Sequence, residues 1–383
     1  MQNNNTLVPS NPAASIMTHF ESLTEPRQSG KVVHKLIDII IITTCAVICG
    51  ANNWVEVVEF GKERENWLRK FLELPNGIPS HDTFGRVFSV LSSTEFHNCF
   101  VSWIEAVFFI TKGQVIAIDG KTLRKSYERA SNKAAIHMVS AWATANRVVL
   151  GQVKTSEKSN EITTIPELLK LLEIKGCIIT IDAMGCQKAI AEQIIAKGGD
   201  YIFGLKGNHS NLYEDVKLFF EDALEEEFKD TPHSYHEDID AGHGRIETRR
   251  VWSVSDLDWL EGKEKWKGLN VIGMVESTRE IEDKISTERR FYIGSIENDA
   301  KLLGDSIRAH WGIENTLHWS LDVNFREDYC RVRKGNASEN FSVVRHIALG
   351  LLQQEKTAKV GIEAKRFKCA LNTDYLTKIL SVN

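Results

Sequence analysis

Apolar positions recur at helical spacing through roughly the first hundred residues. Val32–Cys49 predicts a buried helix. Trp54–Phe60 opens another that continues through Trp67, Leu68 and Phe71, and Pro75-Asn76-Gly77 breaks the pattern. Ser80 or Asp82 then caps a helix through Phe84, Val87, Phe88 and Leu91, and Ser93 caps the next, through Phe96, Phe100 and Trp103. From Gln114 onward short, continuously apolar runs replace this period. Such runs mark strands buried on both faces. They predict strands at Val115–Ile118, Ala135–Trp142 and Arg147–Val153, the last two joined at Thr144-Ala145-Asn146. A helix follows at Ile165–Leu172 with Pro166 in its first turn, then a strand at Cys177–Ile181. Gln187–Lys197 is a helix closed by Gly198-Gly199, and Tyr201–Leu205 a further strand.

The order β-β-β-α-β-α-β is that of an α/β, ribonuclease H-like core, in which the first and fourth strands lie side by side. An acidic helix follows at Leu212–Phe228, its Glu225-Glu226-Glu227 run reading as a solvated face. Residues 233–300 read as a β-rich insertion with strands at Arg245–Val254, Asn270–Glu276 and Arg289–Ile296. The expected organisation is a helical N-terminal domain over about 15–105, an α/β domain over about 110–350 carrying that insertion, and a basic C-terminal tail over 351–383 with Lys356, Lys359, Lys365, Arg366 and Lys368. The helical domain suits either DNA recognition or packing alone.

Composition narrows the class only slightly. The chain has 383 residues, 42% hydrophobic and 26% charged, as in ordinary globular proteins. A net charge of -5 argues against a nonspecific coat for nucleic acid but leaves local basic patches open. The seven cysteines are scattered without CxxC spacing, which fits a reducing cytosol better than a disulfide framework or a zinc site. Met1–Phe20 has no basic n-region and reads as a loosely ordered leader. The apolar run Ile39–Cys49 is too short for a bilayer, so no membrane role is expected.

The chemistry-bearing candidates are three carboxylates. Asp119 ends the run Val115-Ile116-Ala117-Ile118 and is followed by Gly120-Lys121. Asp182 ends the run Cys177–Ile181, and Glu314 lies in His310-Trp311-Gly312-Ile313-Glu314-Asn315 at the start of a helical pattern. In open α/β sheets chemistry collects beyond the carboxyl ends of strands. Two aspartates at strand ends, faced by a helical glutamate, suit a pair of divalent cations and attack on a phosphodiester. Each residue alone has a plainer use: Asp119 as a turn cap, Asp182 as a helix N-cap, Glu314 as the partner of Arg308 or His318. On a helix, His310, Glu314 and His318 share a largely apolar face, where a buried glutamate is costly unless paired or metal-bound.

Further segments complete a pattern. Lys158-Ser159-Asn160-Glu161-Ile162-Thr163, Asp119-Gly120-Lys121, Gly242-His243-Gly244-Arg245-Ile246-Glu247-Thr248-Arg249 and Ala309–Asn315 together resemble the ISAs1-type insertion-sequence transposases, which include the H-repeat-associated proteins. So do Leu317–Asp328 and Ile78–Phe84, and the resemblance spans about residues 20–355. It implies a DDE transposase that uses Mg²⁺ or Mn²⁺, two ions, to cut and rejoin element ends, with Asp119, Asp182 and Glu314 as catalytic and metal-binding residues. It also implies double-stranded DNA with terminal inverted repeats as partner, a homodimer in the DNA complex, and a bacterial cytoplasm, at the nucleoid when DNA is bound. Related insertion-sequence enzymes carry an Arg four residues before the Glu and a Lys seven after it. Here those positions are His310 and Leu321, with Arg308 or Arg326 as candidate substitutes.

Expected DNA contacts are Lys121, Lys206, Arg245, Arg249, Arg308, His310, Arg326, Arg331, Arg333 and Lys334. Arg245 and Arg249 share a strand face with Glu247 and would equally form a surface ladder. Glu161, ahead of the first core helix, is either an auxiliary ligand or a helix N-terminal charge. Two other readings stay in view: a transposase-derived protein that binds DNA without cutting, and a metal-dependent hydrolase of small phosphoesters.

Overall fold

The computed structural model describes residues 11–108, 112–126, 135–155, 160–242, 244–282 and 284–381. Residues 1–10 of the expected leader, and Lys158, Ser159 and His243 from the motifs above, lie outside the described residues. The chain opens with α1 (Ala14–Phe20), α2 (Leu36–Ile48), α3 (Trp54–Glu63), α4 (Glu65–Leu68), α5 (His81–Val90) and α6 (Ser93–Val107). The α/β part follows as β1 (Val115–Leu123), β2 (Ile136–Ala143), β3 (Val148–Lys154), α7 (Glu161–Leu171), β4 (Ile178–Ile181), α8 (Lys188–Ala196), β5 (Asp200–Leu205) and α9 (Ser210–Glu225). Then come β6 (Ser234–Gly242), β7 (Arg245–Val254), β8 (Val271–Ile281) and β9 (Lys284–Gly294). The last elements are α10 (Ala300–Gly312), α11 (Trp319–Val323), α12 (Ala337–Gln354), α13 (Ile362–Leu371) and α14 (Thr373–Leu380).

Local chemistry explains where the expected boundaries moved. Ser80 caps α5 by accepting from the Thr83 amide, but α6 is capped by Ser92 rather than Ser93. Part of the expected leader is helical, because Ile16 and Phe20 both bury and the Phe20 ring meets Phe96 edge-on at 5.2 Å. Helix α7 starts earlier than expected, since Asn160 and Thr163 form a reciprocal cap, and Pro166 therefore sits inside the helix, not in its first turn.

One sheet organises the molecule, in the order β3-β2-β1-β4-β5-β9-β8-β7-β6. Strands β1, β2 and β3 form an antiparallel meander, while β4 runs parallel to β1 and β5 parallel to β4. This is the ribonuclease H-like core. The β-rich insertion extends the same sheet, because β9 pairs antiparallel with β5. Its outermost strand, β6, has no strand signal in the sequence: Ser-Tyr-His-Glu-Asp-Ile-Asp-Ala-Gly has no buried position at all. Helix α10 covers one face, burying Leu303 and Ile307 with Val251, Val275, Ile178 and Ile202.

The N-terminal helices do not stand apart. Helix α2 is buried along almost its whole length, as is α12, and both belong to one hydrophobic core with α5, α6 and β3. Asn340 on α12 donates to the carbonyls of Phe88 and Leu91. The expected basic tail is instead structured. Lys365 and Arg366 are buried and donate to the carbonyls of Leu352 and Val47 respectively, and Arg366 also reaches the Asn324 carbonyl. Among the described residues no helix is long and apolar enough to cross a membrane.

Candidate active site

Strand β1 does not stop at Asp119. It pairs with β4 only through Ile118↔Ile181, then continues to Leu123 against β2 alone. Asp119 and Asp182 are the next residues on two adjacent parallel strands, at the point where β4 leaves the sheet. That is the crevice such sheets use for ligands. Asp182 turns into its own loop, where its Oδ1 accepts from the amides of Met184 and Gly185.

Glu314 stands in a π-helical turn, Ile313–His318, that joins α10 to α11. Such widened turns concentrate at functional sites. Two expectations fail here. Glu314 is exposed, not buried on an apolar face. Nor is it the partner of Arg308 or His318: Arg308 pairs with Asp238 and Asp240, and His318 Nδ1 lies 3.5 Å from Asp119 Oδ2.

Asp119 senses the other two carboxylates. Burial pushes the Asp119 carboxyl up to about 7, against a backbone hydrogen bond from Gly120, with the negative charges of Glu314, Glu161 and Asp182 adding to the rise. Glu161 enters through a contact that spacing did not reveal, its Oε1 lying 2.6 Å from His137 Nε2. That pair rests on Gly120, where a Cβ would come within 2.1 Å of Glu161 Oε1 and 2.4 Å of His137 Nε2. His137 becomes predictable only once β1 is known to reach Thr122, its cross-strand partner. Burial pulls the His318 imidazole down to about 4, so it is neutral at physiological pH.

The donor chemistry fits a hard divalent cation, which favours carboxylate oxygens and would neutralise the charges that hold Asp119 up. Among the described residues, no three His, Cys, Asp or Glu side chains yet converge on one point. Asp182 and Glu314 open instead onto a cleft of 530 Å³ lined also by Lys206, Tyr292, His310 and Trp311. The Arg290 guanidinium sits 4.7 Å from the centre of the Trp311 ring.

The expected DNA contacts divide. Lys206 is exposed at the cleft, and Arg326, Arg331 and Lys334 are exposed beyond α11. Others are turned to protein. The Lys121 ammonium donates to Asp322 Oδ1 at 2.6 Å and Glu327 Oε2 at 2.9 Å. Burial alone would lower that ammonium, yet Glu327 and Asp322 raise it. His310 is bonded to the Thr180 hydroxyl at 3.0 Å, and burial lowers its imidazole too. Arg333 donates to the Lys125 carbonyl. Glu247 is buried beneath Arg249 at 2.8 Å, Arg279 at 3.3 Å and Arg245 at 3.9 Å, so the surface-ladder alternative describes that strand face.

A ribonuclease H-like sheet with two aspartates following the point where β1 and β4 part defines the class of fold. Residues 110–351 match the family described as "Transposase DDE domain", and residues 17–104 its companion, "DDE_Tnp_1-associated". The chain belongs to the DDE transposases, in the insertion-sequence group that includes the H-repeat-associated proteins. It is 44% identical over 372 residues to "H repeat-associated putative transposase YhhI" of Escherichia coli (strain K12), covering 96% of this chain and 97% of that one. It is 45% identical over 371 residues to "Putative transposase YncI" of Escherichia coli O157:H7, covering 96% and 94%. A solved piggyBac transposase synaptic complex with hairpin DNA aligns with 10% identity and a TM-score of 0.42, over 97% of this chain and 77% of that one, a likeness too low to carry an argument. Domains of the DDE family generally use divalent metal ions.

Proposed function

We propose that the chain cuts DNA at the ends of an insertion sequence and joins the freed 3′ ends to a target. Asp119, Asp182 and Glu314 would hold two Mg²⁺ or Mn²⁺ ions. The observation that carries this is the β1–β4 register together with the rise of Asp119 caused in part by Glu314 and Asp182. Bound divalent cations supply activation of the attacking water or 3′-hydroxyl and stabilisation of the leaving oxygen. The protein's own part is placement. Sheet rigidity would fix Asp119, the Asp182 loop would bring the second carboxylate to the same crevice, and exposed Glu314 would close on the bound ions from the helical side. Lys206 stands where a phosphate leaving the cleft would pass, and Arg326, Arg331 and Lys334 offer backbone contacts beyond it. The substrate is double-stranded DNA with terminal inverted repeats, and holding two ends at once calls for a homodimer.

The test is a cleavage assay on DNA spanning the ends of the element that encodes the chain, with Mg²⁺ or Mn²⁺. Asp119→Asn, Asp182→Asn and Glu314→Gln should each abolish cutting while retaining end binding. Binding without any cutting by the wild type would instead make this a transposase-derived DNA-holding protein. Turnover of a chromogenic phosphodiester without DNA cutting would point to a small-molecule hydrolase.

A further inference from the structure

Lys121 follows Asp119 and Gly120 on β1, on the same strand face as Asp119. Its side chain is 12% exposed and reaches two carboxylates at once, Asp322 and Glu327. Asp322 lies on α11, which continues without a break from the π-helical turn holding Glu314. Glu327 is still more enclosed, its side chain 1% exposed, and its other oxygen accepts from Ser342 at 3.3 Å and Arg345 at 3.4 Å. Both donors belong to α12, the buried helix at the centre of the core. A continuous polar chain therefore runs from α12 through Glu327 and Lys121 to α11.

Buried ion pairs are a poor way to hold a fold, since desolvation offsets most of their attraction and apolar replacements often do as well. What this set does that an apolar cluster would not is join two particular elements in one register. One is the strand bearing Asp119 and the other the helical segment bearing Glu314. We propose that Lys121 is a positioning residue whose ammonium clamps β1 to α11 and the Glu327 loop, fixing Asp119 and Glu314 relative to each other for a shared divalent cation. This rests on the reading of those two carboxylates as one site. It replaces the sequence-based expectation that Lys121 touches DNA, because its ammonium is enclosed and already held by two protein carboxylates.

Lys121→Met alone would leave Asp322 without a cation and Glu327 with Arg345 alone, and can fail to fold. The informative variant is therefore Lys121→Met combined with Glu327→Gln and Arg345→Met, which removes the buried charges together and leaves only the partly exposed Asp322. Three quantities are measured on the full chain: the melting temperature, Mn²⁺ affinity by electron paramagnetic resonance without DNA, and end-DNA affinity in EDTA. The clamp predicts a folded triple variant with unchanged DNA affinity and Mn²⁺ affinity lowered about tenfold or more, the scale of lost outer-shell support. A folded variant with wild-type Mn²⁺ affinity overturns the clamp, and if its DNA affinity also falls, Lys121 is a DNA contact after all. Asp119→Asn measured alongside separates the two claims. If it loses Mn²⁺ and the triple variant does not, only the clamp fails; if neither loses Mn²⁺, the metal site itself fails too.

Discussion

Asp119→Asn should make the metal-free protein more stable at neutral and alkaline pH. The wild-type carboxyl is lifted from an ordinary 3.8 to about 7 in the folded chain, chiefly by burial and then by Glu314, Glu161 and Asp182. A carboxyl with a raised folded pKa opposes folding once it must ionise. Below pH ~4 it is protonated in both states and costs nothing. Between pH ~4 and ~7 the cost grows by about 1.4 kcal/mol per pH unit, because the unfolded chain ionises and the folded one does not. Above pH ~7 it levels off at a ceiling of about 4 kcal/mol, on the same conversion. Asparagine keeps the shape and an acceptor for the Gly120 amide without the charge. Thermal melting in EDTA should therefore show the variant ahead of wild type at pH 8, with the gap closing by pH 4. Adding Mg²⁺ should raise the wild type and leave the variant nearly unmoved. A variant that melts at or below wild type at pH 8, or keeps the same advantage at pH 4, would refute the reading of Asp119 as an enclosed carboxyl opposed by like charges.

Gly120→Ala should push apart Glu161 and His137, whose atoms lie 2.1 and 2.4 Å from the new Cβ. A loss of about 1–3 kcal/mol in denaturant unfolding is expected from such overpacking, together with weakened Mn²⁺ binding. Gly335→Ala should cost more, about 2–4 kcal/mol, since its φ of +54° disfavours a side chain and the Cβ would meet the Ser89 carbonyl oxygen at 2.2 Å. Unchanged denaturation midpoints would contradict either expectation. Replacing Arg331 and Lys334 by Gln should weaken end binding across all sequences and lower the salt slope by about one for each phosphate no longer neutralised. An unaltered slope would remove them from the interface.

Much of the core was legible because its strands are buried on both faces. Val115–Ile118 and Cys177–Ile181 carry that signal undiluted, and the order of elements then put Asp119 beside Asp182. Where a strand leaves the core the signal fades. Asp-Gly-Lys-Thr reads as a turn, yet β1 runs on because β2 supplies partners there, Asp119↔Ser140 through Leu123↔Ile136. That misreading hid His137. Strand β6 went unseen because it sits at a sheet edge with no buried side chain, so no alternation marks it. Burial of charge is the least legible property. Nothing near Lys121 in sequence announces Asp322 or Glu327, and the run Lys365-Arg366 looks like a solvated basic patch although both side chains end on buried carbonyls. Glu314's helix was visible in the pattern, whereas its widened turn was not, since helical spacing alone does not distinguish an α from a π turn.

The most direct test of the central claim, that Asp119, Asp182 and Glu314 serve one metal site, is to map where a cation binds. Fe²⁺ can replace Mg²⁺ at such oxygen sites, and with peroxide and ascorbate it cuts the polypeptide beside its ligands. The account predicts three cuts, next to residues 119, 182 and 314, all suppressed together by excess Mg²⁺ and all abolished in Asp119→Asn. Cuts confined to other segments, or cuts at one of the three that survive removal of another, would contradict it.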